Sequence, residues 1–240
     1  MIFNIGVSAP RFPIFSATIN GTEYNFTGSN IDNNDIAVKQ EDNFIKIWLK
    51  KSGSIKFDLL LKNIDVCVVG KGASGGNATT SRDSRGRGIF YAGGGGKGGQ
   101  VNSAFGKTML QNTPYSFNVG SVNNIAVLGK TISASTGTGA NGGAGGFHSD
   151  HTGAWTVPGN GTNGSFAFND SSFDGIRYGS GGGGGALPFE YTTPGANGVT
   201  SGARGMGGHG ATNYGDNPPS GGWPGDPGID GIVLMRIPLL

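Results

Sequence analysis

The sequence predicts a mainly β protein in which glycine-rich segments form packed, left-handed polyglycine-II helices, with little or no α-helix. Three observations favour this fold class. Of the 240 residues 49 are glycine, and only four of these precede residue 64. Short apolar runs typical of strands recur along the chain, whereas no segment after residue 70 has the 3.6-residue periodicity of an amphipathic helix. Within the glycine-rich part, glycines recur at every third position.

Residues 1–63 are predicted to form a small β-rich unit. Its first hairpin, in FSATINGTEYNF, should turn at Asn20-Gly21, which is a strong signal for a two-residue turn. The runs FIKIWL and SIKFDLLL predict a second hairpin that turns at residues 50–53, where glycine can supply a positive φ. Because the composition changes after this unit, residues 64–240 are predicted to form a separate glycine-rich domain.

Strand-like runs continue beyond the first unit. IDVCVV, residues 64–69, is apolar enough for a central strand. Residues 115–120 and 124–129 predict a hairpin that turns at residues 121–124. The closing run, residues 232–237, is mostly apolar, so we expect it to complete a sheet.

The spacing of the glycines predicts the conformation of the segments between these strands. A polyglycine-II helix has three residues per turn and no internal hydrogen bonds, so neighbouring helices can satisfy one another's amides where glycine lets their axes approach. Collagen would need an unbroken repeat, and the repeats here stop after three or four glycines. Ordered irregular loops and a flexible linker are the other interpretations. The triplets are glycines 93/96/99, 139/142/145, 179/182/185, 202/205/208 and 222/225/228/231.

Residues 70–75 match the G-x-G-x-x-G pattern of a dinucleotide-binding turn. Such a turn needs a helix that begins at its second or third glycine, and an acidic residue about 20 residues later. The sequence after residue 75 has no helical periodicity, and FYAGGGGKGGQ at residues 90–100 contains no acid. Because glycine is so common in this chain, the pattern is expected by chance, and we predict no bound cofactor.

Other signatures of catalysis or metal binding are weak. His148 and His151 are spaced like a metal-binding pair, but His209 is the only other histidine, so we predict no metal site. No paired carboxylates, and no nucleophile with a base, stand in a recognisable frame. We therefore predict no catalytic residues and no enzymatic activity. Cys67 lies in an apolar run, is expected to be a small buried hydrophobe, and excludes an internal disulfide.

Charge and hydropathy bear on partners and location. Seventeen Lys and Arg residues nearly balance fifteen Asp and Glu residues, without a basic run, so a nucleic-acid partner is not expected. No apolar run approaches the ~20 residues that cross a bilayer, so membrane insertion is not expected either. The opening residues lack a charged segment followed by a continuous apolar stretch, and we expect synthesis in a cytoplasm without a signal peptide.

Segments rich in aromatic and polar residues separate the glycine tracts. If the tracts form a rigid slab, these segments are its end turns, and their composition is typical of adaptable recognition surfaces. Three phenylalanines, Phe166, Phe168 and Phe173, are expected to pack as core instead. The segments are residues 78–92, 147–158, 165–178, 186–194 and 211–220. The candidate contact residues are Arg85, Tyr91, His148, His151, Trp155, Arg177, Tyr178, Phe189, Tyr191 and Tyr214.

The glycine tracts, the strand that runs into VCVVGKG, and the closing PGDPGIDGIVLMRI together resemble the glycine-rich domains of phage tail-fibre proteins. The nearest functional relatives are the receptor-binding tip adhesins of T-even-type tailed phages. The glycine-rich extracellular region of certain receptor tyrosine kinases is similar as well, although a chain without paired cysteines fits such an ectodomain poorly. The resemblance covers residues 64–240, and residues 1–63 do not match the fibre-docking domain of those adhesins.

This resemblance implies a non-enzymatic adhesin at the tip of a tail fibre. A sandwich of polyglycine-II helices would present its loops to a bacterial surface receptor, either an outer-membrane protein or a glycan. Residues 1–63 would be the attachment and base unit, in contact with other tail-fibre or virion subunits. The alternative is a structural virion or surface component that uses the slab as a spacer or assembly contact. An ice-binding protein is disfavoured because the tracts carry bulky Trp, Asp and Lys residues.

Overall fold

The computed structural model describes residues 13–41, 43–150, 152–187, 194–195, 204–214 and 222–239. Within these ranges the chain is mainly β, in several antiparallel sheets, and its helical structure is one 3-10 turn at Ala167–Asn169. The prediction of a mainly β fold with little or no α-helix is therefore confirmed for this part of the chain. None of its helical structure is long and apolar enough to cross a membrane.

Two six-stranded antiparallel sheets form the larger β structure. One buried apolar cluster contains side chains from both sheets, including Phe57 from the first and Val66 from the second. The first sheet contains, in spatial order, β13 (Lys130–Ala134), β12 (Asn123–Val127), β11 (Tyr115–Asn118), β6 (Gly53–Phe57), β1 (Phe15–Ile19) and β2 (Thr22–Phe26). The second contains β10 (Val101–Met109), β7 (Leu61–Val69), β18 (Ile232–Pro238), β5 (Phe44–Leu49), β4 (Ile36–Gln40) and β3 (Ile31–Asp32).

Two of the predicted hairpins are confirmed. β1 and β2 pair with Ile19 opposite Thr22, and the two turn residues, Asn20 and Gly21, have φ values of 48° and 80°. Positive φ at both turn positions gives the twist that suits adjacent strands, which is why Asn-Gly is favoured there. β11 and β12 also pair directly, in antiparallel register.

The predicted hairpin between β5 and β6 is wrong, because the two strands lie in different sheets. The Lys50 amide donates to the carbonyl of Asp35 (2.8 Å), which holds the end of β5 beside β4. Two residues later, the Ser52 hydroxyl bonds the backbone of Val119 next to β11. The segment that was expected to turn instead carries the chain from the second sheet to the first.

β7 is central, as predicted, and β18, which was predicted only to complete a sheet, is central as well. β18 lies between β7 and β5, and β7 lies between β18 and β10. Residue 63 lies inside β7, and both six-stranded sheets combine strands from before and after it. The change in glycine content near residue 63 therefore does not separate one sheet from the other.

Backbone hydrogen bonds join the glycine tracts with a period of three residues. In the tract of residues 92–100, every third amide donates to one neighbouring tract: Gly93 to Ala211, Gly96 to Gly208 and Gly99 to Gly205, at 2.7–2.9 Å. An offset set donates to a second neighbour: Ala92 to Gly146, Gly95 to Gly143 and Gly98 to Ala140, each at 2.8 Å. A flexible linker would leave these amides without fixed partners, so that interpretation is wrong for the described tracts.

The tracts run back and forth between two ends. β7, β10 and β18 adjoin the tracts at Val69, Val101 and Ile232, and we call this side the base end. The opposite side, which we call the distal end, carries a four-stranded sheet. Its strands are, in spatial order, β15 (Trp155–Thr156), β14 (Phe147–Ser149), β9 (Gly88–Tyr91) and β8 (Thr79–Arg82). Cross-tract bonds at this end join Ala92 to Gly146, Ala78 to Trp223 and Asn213 to Ala186.

The thiol of Cys67 provides a test of the core. Cys67 is fully buried in β7, and burial raises the pKa of its thiol to about 11. Because the reactive species is the thiolate, we expect no reaction with Ellman's reagent at pH 8 in the folded protein. In guanidinium chloride the same reagent should titrate one thiol per chain. Rapid modification without denaturant would contradict the position of β7 at the centre of its sheet.

Candidate recognition surface at the distal end

The four-stranded distal sheet positions four of the predicted contact residues. Tyr91, His148 and Trp155 lie on β9, β14 and β15, and Arg85 lies in the turn between β8 and β9. Asp83 shapes that turn, because its carboxylate accepts the backbone N–H groups of Arg85 and Arg87, each at 2.9 Å. These bonds hold the pKa of Asp83 below its ordinary value, and the bond from the Arg87 amide is the largest cause of that shift. The hydrogen bonds of Asp83 therefore fix the conformation of the turn between β8 and β9.

The register of the sheet sorts these aromatic residues onto two faces. His148 stands directly opposite both Phe90 and Trp155, so the three share one face. Tyr91 stands opposite Phe147 on the other face, with ring centroids 5.1 Å apart. Tyr91 is 44% exposed and Trp155 is 51% exposed, so each face presents an aromatic ring to solvent.

A cavity of about 380 Å³ lies beside the hairpin turn. Arg82, Arg87, Phe90 and His148 are among its lining residues, and so is Asp150, whose Oδ1 lies 2.9 Å from His148 Nε2. The His148–Asp150 contact is the nearest approach to a metal-binding pair. No group of three or more His, Cys, Asp or Glu side chains able to hold a metal occurs in the described ranges.

Among the described residues, the remaining exposed aromatic at this end is Tyr214, which is 70% exposed. It contacts Trp223 edge-to-face, with ring centroids 5.8 Å apart. Asn213, next to Tyr214, is fully buried, and its side-chain amide donates to the carbonyls of Thr79 (2.8 Å) and Tyr91 (3.2 Å). One buried amide therefore ties the segment that carries Tyr214 to the distal sheet.

Neither Trp223 nor Asn213 was among the predicted contact residues, although Asn213 lies in the predicted recognition segment of residues 211–220. Trp223 is held by two backbone bonds to Ala78, one donated in each direction, at 2.9 and 3.1 Å. Its sequence signal was an aromatic residue immediately before proline at the start of a glycine tract, in GGWPGDPG. Asn213 had no distinguishing sequence signal, because asparagine is common in all the loops.

Two predicted contact residues, Arg177 and Tyr178, lie at the base end instead. They form β17 (Arg177–Tyr178), which pairs with β16 (Ser165–Phe166). Tyr178 is only 2% exposed, and its prediction as a receptor contact is wrong. The Arg177 guanidinium stacks 4.1 Å above the ring of Phe166, and its Nη1 donates to the carbonyl of Gly164 (3.0 Å).

The reason for this correction is an additional glycine tract. Residues 159–164 bond to both neighbours, with the Thr162 amide donating to Asn141 (2.8 Å) and the Gly181 amide donating to Thr162 (3.0 Å). This tract returns the chain to the base before residues 165–178 begin. Phe168 and Phe173 are buried there, as predicted, whereas Phe166 is only half-buried. Three other predicted contacts, His151, Phe189 and Tyr191, lie outside the described residues.

A half-buried carboxylate, that of Asp174, explains why Tyr178 is structural. Asp174 accepts the Tyr178 hydroxyl at 2.6 Å and the indole N–H of Trp48 at 3.1 Å, on the same oxygen. Burial, followed by this bond to Asp174, raises the pKa of Tyr178 above its ordinary value. The network ties residues 174–178 to β5 of the second sheet.

Tyr178→Phe should lower the free energy of unfolding by about 1–2 kcal/mol, because the bond from a buried hydroxyl to a half-buried carboxylate is lost. Tyr24→Phe removes a similar hydroxyl bond, to Asp35 at 2.6 Å, from a half-exposed site, and should cost less. Urea denaturation of both variants measures the difference. A loss no larger at Tyr178 than at Tyr24 would contradict the buried network, and reduced cell binding by Tyr178→Phe would contradict its placement at the base end.

The glycine amides of the G-x-G-x-x-G segment are bonded to other parts of the chain and are not presented to a phosphate. A phosphate-binding turn presents unpaired N–H groups to its ligand. Here the Gly72 amide donates to Ile229 (3.0 Å) and the Gly75 amide donates to Asp226 (2.9 Å). A Cβ at position 75 would lie 1.8 Å from the carbonyl oxygen of His209. The glycines therefore serve close approach between tracts.

No protein-family model matches the chain, and comparisons with curated proteins and with solved structures return no match either. The function is therefore inferred from the geometry described above. That geometry combines tracts joined by regular backbone bonds with exposed aromatic rings gathered at the distal end.

Proposed function

We propose that this chain is a non-enzymatic receptor-binding adhesin at the tip of a phage tail fibre. The distal end would contact a bacterial surface receptor, either an outer-membrane protein or a glycan. The observation that carries the proposal is the gathering of Tyr91, Trp155 and Tyr214, from three separate loops, at the end opposite the six-stranded sheets. Large, stiff aromatic side chains on a rigid support are effective binding residues, because little conformational entropy is lost when they contact a partner.

The proposal includes polyglycine-II helices as the rigid support, packed as a sandwich between base and distal end. Two features favour this conformation. The amides of residues 92–100 reach each neighbour at every third residue, which is the period of a helix with three residues per turn. Buried glycines also lie where any side chain would meet a neighbouring carbonyl, as at Gly93 and Gly98. Left-handed helices without internal bonds would satisfy their amides in this way.

The base end would attach the adhesin to other tail-fibre or virion subunits. Three exposed apolar side chains adjoin the strand ends that lie farthest from the glycine tracts. They are Ile14 beside β1, Leu60 beside β7 and Leu110 beside β10. Exposed apolar residues of this kind suit a protein contact. The same residues would serve the alternative function, a structural virion component in which the tracts act as a spacer.

Adsorption of the purified protein to candidate host cells tests the proposal. The labelled protein should bind sensitive cells saturably, should compete with phage adsorption, and should not bind resistant mutants of the same strain. The expected location is the fibre tip of the virion, where antibody against the chain should bind in electron micrographs. Exclusive association with other virion parts, without cell binding, would favour the structural alternative and overturn the adhesin proposal.

A further inference from the structure

The pocket beside Tyr214 and Trp223 differs in charge from the rest of the distal end. It has a volume of about 310 Å³, and among the described residues its lining contains one acidic residue, Asp226, one histidine, His209, and no Lys or Arg. Within the described ranges, the Asp226 side chain makes no ion pair or hydrogen bond. Asp230, which follows it in the same tract, instead pairs with Lys71 at 3.0 Å. The pocket by the hairpin turn, in contrast, contains Arg82 and Arg87.

The two aromatic rings form a corner in the lining of this pocket, which Asp226 also lines. Tyr214 and Trp223 have an interplanar angle of 73° and centroids 5.8 Å apart. A cation seated in the corner can lie within about 6 Å of both centroids, the range in which a cation is attracted to an aromatic face. Two rings with a nearby carboxylate are the arrangement by which proteins recognise ammonium and guanidinium groups.

The backbone segments that carry the rings are held in place before any ligand arrives. Trp223 is fixed by its two backbone bonds to Ala78, and Tyr214 follows Asn213, whose side chain is bonded to the distal sheet. The Asp226 amide donates to the carbonyl of His209 at 2.9 Å, which fixes the backbone that carries the carboxylate. A preformed pocket loses little conformational entropy on binding, so a small side chain can be bound measurably.

We infer that this pocket binds a cationic side chain, Lys or Arg, on an exposed segment of the receptor. The inference rests on the proposed adhesin function for its biological partner, and it selects protein over neutral glycan as the ligand at this pocket. Tyr214 and Trp223 contact the cation through their ring faces, and Asp226 accepts its N–H groups.

The pocket can be tested on the purified protein by NMR. The probe is a capped five-residue peptide with one central lysine among glycines, and its counterpart carries acetyl-lysine, which has no charge. The lysine peptide should shift the indole N–H signal of Trp223 saturably and leave that of Trp155 unchanged. The acetyl-lysine peptide should bind at least about tenfold more weakly, since a charge-assisted bond and the cation–π contacts are lost.

Substitutions separate the pocket from general surface charge. Asp226→Asn and Tyr214→Leu should each weaken lysine-peptide binding about five- to tenfold, whereas Glu23→Gln, on an exposed position of β2, should have no effect. Equal binding of the charged and neutral peptides would overturn the inference. Saturable shifts at Trp223 with glucose, galactose or mannose, but not with the lysine peptide, would show a glycan subsite and overturn it as well.

Cell adsorption of the same variants distinguishes this inference from the proposed function. Wild-type binding to host cells that is reduced by Asp226→Asn supports both. Wild-type binding that Asp226→Asn leaves unchanged overturns the cation pocket and leaves the adhesin proposal standing. Failure of the wild type to bind any host, combined with saturable lysine-peptide binding, contradicts the adhesin function and supports the pocket as a cation site.

Discussion

Gly93→Ala should lower the free energy of unfolding by about 3 kcal/mol or more, and it should prevent folding if the neighbouring tract cannot move. The new Cβ would lie 1.8 Å from the carbonyl oxygen of Gly76, well inside contact distance. That oxygen accepts the Ala211 amide at 3.0 Å, and the Gly93 carbonyl accepts the Gly185 amide at 2.8 Å. Overpacking costs about 1–3 kcal/mol, and each displaced hydrogen bond adds about 1 kcal/mol.

The adjacent glycine is a matched control. At Gly94 the nearest atom to an added Cβ is the Gly143 oxygen at 3.5 Å, an ordinary contact distance. Gly94→Ala should therefore be close to neutral, within about 1 kcal/mol, because the loss of unfolded-state entropy offsets any small adjustment. Guanidinium denaturation followed by circular dichroism measures both variants. Similar stability of the two variants would contradict the close packing of the tracts.

Local turn chemistry could be predicted from the sequence, whereas the choice of sheet partner could not. The β1–β2 hairpin follows from Asn20-Gly21 alone, since both residues adopt the positive φ that such a turn requires. β5 and β6 have residue patterns that suit a hairpin equally well, and a short connection joins them, yet they lie in different sheets. Each strand has one partner, β18 for β5 and β11 for β6, that comes from much later in the chain, and no short-range signal specifies that pairing.

Glycine spacing likewise predicts a local property of each tract but not its partners in the fold. The three-residue period predicted which amides would point to a common neighbour, and the bonds from Gly93, Gly96 and Gly99 follow it. It could not predict which tracts are neighbours, because all tracts offer the same backbone groups. The tract of residues 159–164 lacks a clear triplet pattern, and missing it misplaced the loop that follows.

The candidate site was predictable only where a residue's exposure follows from its local neighbours. Tyr91, Trp155 and Tyr214 lie in polar, glycine-containing loops and are exposed at the distal end. Tyr178 lies in a similar loop, but an even number of tract crossings, counted from β7, places it at the base end, where Asp174 accepts its hydroxyl. The end at which a loop emerges depends on the number of tracts before it, and one uncertain tract reverses the result.

Replacing Tyr91, Trp155 and Tyr214 together by alanine should reduce adsorption to host cells by at least about 100-fold. Aromatic residues that act as binding hot spots contribute about 2 kcal/mol or more each, so even one or two true contacts among the three account for this loss. All three are exposed, and the folded structure should survive with only a small decrease in stability from the lost Tyr91–Phe147 and Tyr214–Trp223 contacts. Binding of labelled protein to cells, with thermal unfolding measured in parallel, provides the readout.

The matched control removes three exposed apolar side chains from the opposite end, by replacing Ile14, Leu60 and Leu110 with alanine. This variant loses a comparable number of exposed apolar side chains, so a loss of non-specific stickiness would affect both variants alike. If the distal end is the recognition surface, purified base-end variant should adsorb like the wild type, and only its incorporation into virions should decrease. Equal loss of cell binding in the two variants would mean that adsorption reflects general surface hydrophobicity, and it would remove the reason for placing the receptor contact at the distal end.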